Sequence, residues 1–265
     1  MTPEDHARAA ADLLNAEATG EQIGLLTLRH PEMGMDEAYA VQNAIYDAKL
    51  KAGQKVIGWK IGLTSKAMQS ALNIDIPDSG ILFDDMLFEN GATIPNGRFI
   101  QPRIEAEIAF VLGAPLGGEN VTRADVIAAT DYVAPSIEIL DTRILRKDPE
   151  TGKTRLVFDT ISDNAANAGV VLGAEKHAPD SDLRWVGAIV SANNEVEETG
   201  LGAGVLNDPV ESVVWLARRM ATYGQKMDAG QIILSGSFIR PIECPSGTTI
   251  HADFGSFGSV DLDFA

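Results

Sequence analysis

The chain has 265 residues, a single cysteine and a formal net charge of −17, enough length for one large domain or a domain with an appendage around a real core. The acid excess argues against nucleic acid, which needs a basic face, and one cysteine excludes an intrachain disulfide and fits a reducing compartment. No apolar run approaches the roughly 18 residues that cross a bilayer, and MTPEDHARAAADLLNAE lacks a basic start and an apolar signal core, so a cytoplasmic protein is expected.

The opening segment predicts a helix: Thr2 can cap it, Pro3 suits the first turn, Ala7, Ala10, Ala11 and Leu14 share a face, and Gly20 ends it. A second helix is expected from about Asp36 to Gly53, with Ala38, Val41, Ile45 and Ala48 on one stripe. From Lys55 onward the pattern changes to strands, expected at 56–63, 81–83, 104–112, 132–140, 170–172, 185–192, 232–235, 249–254 and 260–264. Asn193-Asn194 and 255–258 are candidate hairpin turns. One long helix follows Asp208-Pro209, striped by Val210, Val213, Val214, Ala217, Met220 and Ala221. The sum is an α+β protein with a largely antiparallel or mixed sheet. It divides into a helical region over 1–54, expected to serve as a lid or cap, and a sheet domain over 55–265, which together make one continuous unit.

In the stretch QPRIEAEIAFVLG, Gln101 to Gly113, the strand period of two puts Glu105 and Glu107 on one face and Ile104, Ala106, Ile108 and Phe110 on the other. Alternation of this kind is the ordinary mark of a half-exposed strand, but the acidic face continues as Ala109 and Val111 and does not stay polar. Glu138 lies between Ile137 and Ile139 in YVAPSIEILD, with little other charge beside it. Three carboxylates from two strands are hard oxygen donors suited to Mg²⁺ or Mn²⁺, provided the strands are neighbours.

VIGWKIGLTSK supplies a cation, Lys60, flanked on its own face by Gly58 and Gly62. Glycine there permits close approach of a ligand; a lysine in apolar surroundings can have a lowered pKa and serve as acid, base or nucleophile. The bland alternative is an edge-strand lysine whose glycines serve twist or bulge. ILSGSFIRP has the composition of an anion cradle around Ser235, Gly236 and Ser237, or of a plain turn. FDTISDNAANAG, with Ser162, Asp163, Asn164 and Asn167, reads as a capped short helix unless it borders the lysine. Asp78 in DIPDSGIL is a candidate acid or base, or a turn residue. His6, His177 and His251 show no metal spacing, His30 sits between the first helices, and Cys244 reads as a bystander.

Taken together, GWKIGLTSKAMQ, PRIEAEIAFVLG, DYVAPSIEILDTR, DTISDNAANAG and AGQIILSGSFIRP resemble the fumarylacetoacetate hydrolase superfamily, in its branch of hydratases and decarboxylases of aromatic meta-cleavage catabolism. DPETGKTRLVFDTISDNAANAG, RWVGAIV and EETGLGAGVLNDPVESVVWLA look most like members that act on 2-oxohept-4-ene-1,7-dioate in homoprotocatechuate degradation. The resemblance implies a mixed β-roll with an amino-terminal helical region, a homo-oligomer, and Mg²⁺ or Mn²⁺ bound by Glu105, Glu107 and Glu138. It places Lys60 near the 2-oxo acid end of a small-molecule substrate, with Asp78, Ser162 and Ser237 as proton-transfer or substrate-contacting positions. Arg143 and Arg155 are candidate partners of the far carboxylate, which must enter a strongly acidic protein. The expected reaction is addition of water at C4. Competing readings are a 4-oxalocrotonate-type decarboxylase, a 2-hydroxypentadienoate hydratase, a Schiff-base aldolase using Lys60, and a non-enzymatic metal-stabilised scaffold.

Overall fold

In a computed structural model of the chain, residues 1–66, 69 and 76–265 are described; Ala67 and Met68, within the GWKIGLTSKAMQ motif, lie outside them. The first helix forms where its caps dictate. In α1 (Pro3–Thr19) the Thr2 hydroxyl accepts from the Asp5 N–H, the Asp5 carboxylate accepts from the Thr2 N–H, and Gly20 closes the helix in the left-handed region at φ 73°. A single turn, α2 (Leu26–Arg29), leads to α3 (Met35–Lys51). Ala9, Ala10 and Leu13 of α1 and Val41 and Ile45 of α3 form an apolar cluster that also takes in Ile144 and Ile161. The helical region over 1–54 is therefore seated on later segments of the chain.

The first sheet contains β1 (Val56–Gly62), β2 (Asp78–Phe83), β3 (Leu87–Phe88), β5 (Arg103–Leu112), β6 (Thr130–Leu140), β7 (Asn167–Leu172), β10 (Ile232–Leu234) and β11 (Ile242–Glu243). Its order is β2-β1-β10-β5-β6-β7-β3, with β11 also on β5; β1 runs parallel to β10 and β3 to β7, and the rest are antiparallel. The second sheet has β4 (Ala92–Ile94), β8 (Gly187–Ala192), β9 (Glu195–Leu201), β12 (Thr249–Asp253) and β13 (Ser259–Phe264), in the order β4-β13-β12-β8-β9. Ile104, Ala106, Ile108 and Phe110 of β5 are buried in a core shared with Val190, Ile250, Val260 and Leu262 of the second sheet. Val213 and Ala217 of the long helix α6 (Pro209–Thr222) join that core, and Asp208 caps the helix by accepting the Val210 N–H. Two shorter helices complete the set, α4 (Arg123–Ala129) and α5 (Val157–Ser162).

The α+β architecture with a mixed sheet is the one the patterns imply, and the strand expectations differ mainly at their edges. Trp185 leaves the strand expected over 185–192 for a single helical turn and is 74% exposed. Asn193 and Asn194 take φ of 52° and 67° and turn a hairpin whose second strand, β9, is too acidic at Glu195, Glu197 and Glu198 to carry an apolar signature. α4 begins with a capping box of Thr122 and Asp125, a signal present in the sequence but carried by only seven helical residues.

Candidate active site

With one face of β5 committed to the core, its other face carries the acids. The antiparallel register sets Glu105 directly opposite Glu138 and Glu107 opposite Ser136. Glu107 and Glu138 are fully buried, and oxygens of Glu105, Glu107 and Glu138 lie within 4.8 Å of one another. This is the neighbour relation that strand alternation leaves open. Glu107 Oε2 accepts the Gly236 N–H at 2.7 Å, but Glu107 Oε1 and both oxygens of Glu138 are buried without a hydrogen-bond partner among the described residues. Burial, then the charge of Glu138, pushes Glu105 up to about 8; the same causes, with Glu105 added, raise Glu107 well above the carboxylate range, and burial raises Glu138. Buried, mutually repelling oxygens with unused lone pairs on a three-carboxylate set are the donors a hard divalent cation requires.

Lys60 lies beside this cluster, its Nζ 3.5 Å from Glu138 Oε1. Burial alone would lower the ammonium, but the charges of Glu138, Asp78, Glu105 and Glu107 outweigh it and hold Lys60 above its ordinary value. The lowered lysine pKa expected from apolar surroundings is therefore corrected: the surroundings are acidic. Lys60 therefore lacks the apolar setting that activates a lysine nucleophile, which was the premise of the aldolase reading. Asp78 pairs with Gly62 across β1 and β2. It is buried, its Oδ1 has no hydrogen-bond partner among the described residues, and burial pushes its carboxyl up.

The two glycines beside Lys60 do different things. A Cβ on Gly62 would stand 2.2 Å from Asp78 Oδ1 and 2.9 Å from Lys60 Nζ, so this glycine makes the space in which acid and base converge. A Cβ on Gly58 would stand 1.9 Å from the Ile232 carbonyl oxygen. Gly58 serves the approach of β10, not of a ligand.

The SGS loop does hold a carboxylate, and it is the protein's own. Gly236, at φ 112°, donates to Glu107, while Ser237 Oγ donates to the Ile239 carbonyl and Ser235 Oγ is buried without a partner. FDTISDNAANAG does border the lysine: a Cβ on Gly80 would meet Asn164 O at 2.5 Å and Lys60 Cγ at 3.2 Å. Asn164, Ala165 and Ala166 take φ of 50°, 53° and 59°, a left-handed turn costing about 1–2 kcal/mol per residue. The Asn164 amide offsets that cost by accepting from Ile81 N–H at 2.8 Å and donating to Ile81 O at 2.9 Å.

These elements enclose a pocket of about 190 Å³, whose lining includes Lys60, Asp78, Glu105, Ala165, Ala166 and Ser237. Arg155 is also on its wall, with Nη1 donating to Thr142 Oγ1 at 2.5 Å. Arg143 is not among the lining residues: its Nε donates to Asp163 Oδ1 at 2.5 Å and its Nη2 to Asp163 O at 2.7 Å, and it is buried. A guanidinium spent on Asp163 cannot also meet a substrate, so the expectation for Arg143 is corrected to a structural one. Ser162 is likewise off the pocket wall, fully buried and donating to Phe158 O at 2.8 Å. Cys244 is buried, its thiol pushed up to about 12 by burial, and inert.

Two further arginines line the pocket, Arg103 and Arg146. Arg103 precedes Glu105 by two residues and shares its face of β5, the spacing that would have found it. Arg146 lies in a turn segment with no periodicity to mark it, and burial, then the charges of Arg103 and Arg155, pushes it down to about 10.

No protein-family model matches the chain. The chain is 51% identical over 260 residues to the 2-oxo-hept-4-ene-1,7-dioate hydratase of Escherichia coli, covering 98% of this chain and 97% of the relative. It is 39% identical over 265 residues to the 2-keto-4-pentenoate hydratase of Paraburkholderia xenovorans, covering 100% of this chain and 96% of the relative. Among solved structures, 4-oxalocrotonate decarboxylase from Pseudomonas putida G7, complexed with magnesium and adipate, superposes with a TM-score of 0.93 at 34% identity, covering 100% of this chain and 99% of that one.

Proposed function

The chain belongs to the fumarylacetoacetate hydrolase superfamily, in its branch of hydratases and decarboxylases, and on that premise we propose that it adds water at C4 of 2-oxohept-4-ene-1,7-dioate to give 4-hydroxy-2-oxoheptane-1,7-dioate. The observation that carries this reading is the Glu105, Glu107 and Glu138 cluster beside Lys60 and Asp78, in a chain 51% identical to a hydratase of that substrate. Mg²⁺ or Mn²⁺ held by the three glutamates would supply Lewis-acid polarisation of the 2-oxo acid.

The chain's own residues then move protons. Asp78 takes the proton leaving C3, since its buried carboxyl is pushed up and its Oδ1 has no other partner. The Lys60 ammonium, held by Glu138, gives a proton to C5, so the double bond shifts into conjugation with the 2-oxo group. Lys60 then receives a proton from the water adding at C4, and Asp78 returns its proton to C3. Both groups end as they began, and substrate plus water equals product. Ser237 is assigned a substrate contact at the pocket wall, and the region over 1–54 the role of a cap on the site. Activity in the cytoplasm and assembly as a homo-oligomer belong to the same reading; a solution mass that is a multiple of 28.2 kDa checks the second.

The test is a metal-dependent assay of 2-oxohept-4-ene-1,7-dioate in ¹⁸O-labelled water. Label at C4, activity lost on chelation and restored by Mg²⁺, and a fall of about 10²–10⁴-fold in Lys60→Ala are expected. The similarity to 4-oxalocrotonate decarboxylase favours a second reading, CO₂ release from a 2-oxo diacid; CO₂ without labelled product would replace the first reading with it.

A further inference from the structure

We propose that Arg103, Arg146 and Arg155 form a subsite for the second carboxylate of the substrate and set the preference for a seven-carbon diacid over a short 2-oxo monoacid; this deepens the reaction proposed above and rests on it. The geometry begins with β5. Arg103 and Glu105 project from the same face two residues apart, about 7 Å at the strand rise. The carboxyl carbons of an extended seven-carbon diacid lie about 7.5 Å apart, six bonds of ~1.5 Å in a zigzag. A chain whose first carboxyl lies beside Glu105 and which runs toward the start of β5 is long enough to bring its last carboxyl to the part of the pocket wall that Arg103 lines. A five-carbon acid ends about 2.5 Å earlier, with no second charge to place there.

The other two guanidiniums are delivered to the same end by the backbone. The Arg155 N–H donates to Arg146 O at 2.9 Å, pairing the two residues across a hairpin, and the Arg146 Nε donates to Gln101 Oε1 at 3.2 Å, two residues before Arg103. Acids close to this end are already engaged. Asp141 accepts the Ile100 and Gln101 N–H groups at 2.9 and 2.7 Å, and Asp163 holds Arg143. Among the described residues Arg103 has one ion-pair partner, Glu243, whose side chain is 73% exposed, and its buried Nε has no acceptor. Among the described residues Arg146 and Arg155 make no ion pair. In a chain of net charge −17 the pocket thus contains three guanidiniums with one surface carboxylate between them. Arginine offers a planar pair of donors that fits a carboxylate.

The test compares kcat/KM for 2-oxohept-4-ene-1,7-dioate and 2-oxopent-4-enoate. In Arg146→Gln the diacid-to-monoacid ratio falls about 10–100-fold, chiefly through the diacid KM, and Arg146→Lys recovers part of it. An unchanged ratio, or a loss that strikes both substrates alike, overturns the subsite. A second arm uses the unmodified protein with Mg²⁺ and the unreactive heptanedioate. The diacid is expected to bind at least about 10-fold more tightly than its monomethyl ester, and equal affinities overturn the subsite. If the unmodified protein hydrates neither compound the reaction falls, and this binding arm still decides the subsite by itself.

Discussion

Glu107 accepts one hydrogen bond, from Gly236, its other oxygen is buried without a partner among the described residues, and it belongs to a set of three carboxylates with oxygens within 4.8 Å of one another. Such an arrangement costs stability and is retained for what it binds. Glu107→Gln removes a carboxyl that burial holds well above its ordinary pKa, an unfavourable term for folding at neutral pH, so the metal-free protein is expected to melt at a higher temperature. The stabilisation that Mg²⁺ gives the parent is lost with it, and activity falls with it; melting curves with and without chelator check the first two and the hydration assay the third. The glycines beside Lys60 separate site from scaffold. Gly62→Ala, forced against Asp78 and Lys60, is expected to lower kcat at least about 10-fold with little loss of melting temperature. Gly58→Ala, forced against the Ile232 backbone, is expected to cost about 1–3 kcal/mol of unfolding free energy.

At the scale of the element, the left-handed turn over 164–166 is held by one side chain. Asn164→Ala removes both bonds to Ile81, and about 2–3 kcal/mol of stability is expected to go with them, together with a raised KM because Ala165 and Ala166 line the pocket. Denaturant unfolding and steady-state kinetics on the same preparation measure the two effects. Helices α1 and α3 are joined by Lys49 Nζ to Glu17 Oε1 at 2.7 Å, with the lysine buried. Burial would raise Glu17, but the Lys49 charge and hydrogen bond outweigh it and lower its pKa. A carboxylate with a depressed folded pKa binds fewer protons folded than unfolded, so its contribution is present above the unfolded value and disappears as pH falls through the folded one. The melting temperature of Glu17→Gln is therefore expected to lie below that of the parent at pH 7 and to approach it as acid protonates Glu17.

At the scale of the whole molecule, a cluster of three carboxylates, two of them fully buried, makes folding and metal binding one linked equilibrium. A divalent ion at about 100 times its Kd adds about 2.7 kcal/mol to stability, which for a domain of this size is a rise of about 5–10 °C in melting temperature. A titration with Mg²⁺ that leaves the melting temperature fixed in the parent would count against the metal site. Among the described residues no helix is long and apolar enough to cross a membrane. Trp185, Ile189, Val196 and Leu201 keep apolar surface in solvent around the β8 and β9 hairpin, at 74%, 49%, 62% and 44% exposure.

The sequence by itself determined what periodicity and capping can encode: the bounds of α1 and α6, the run of β5, and the shared face of Glu105 and Glu107, because a strand or helix imposes its repeat on side chains without reference to the rest of the chain. Only the tertiary structure decided which residues meet. The register of β5 on β6 put Glu138 opposite Glu105 and made three scattered acids one cluster. Packing also sorted the arginines of DTRILRKDPETGKTR, which no periodicity distinguishes. Arg143 went to Asp163 in the interior, where its donors and charge are met, and Arg146 and Arg155 to the pocket wall, where the backbone bond between them sets their place.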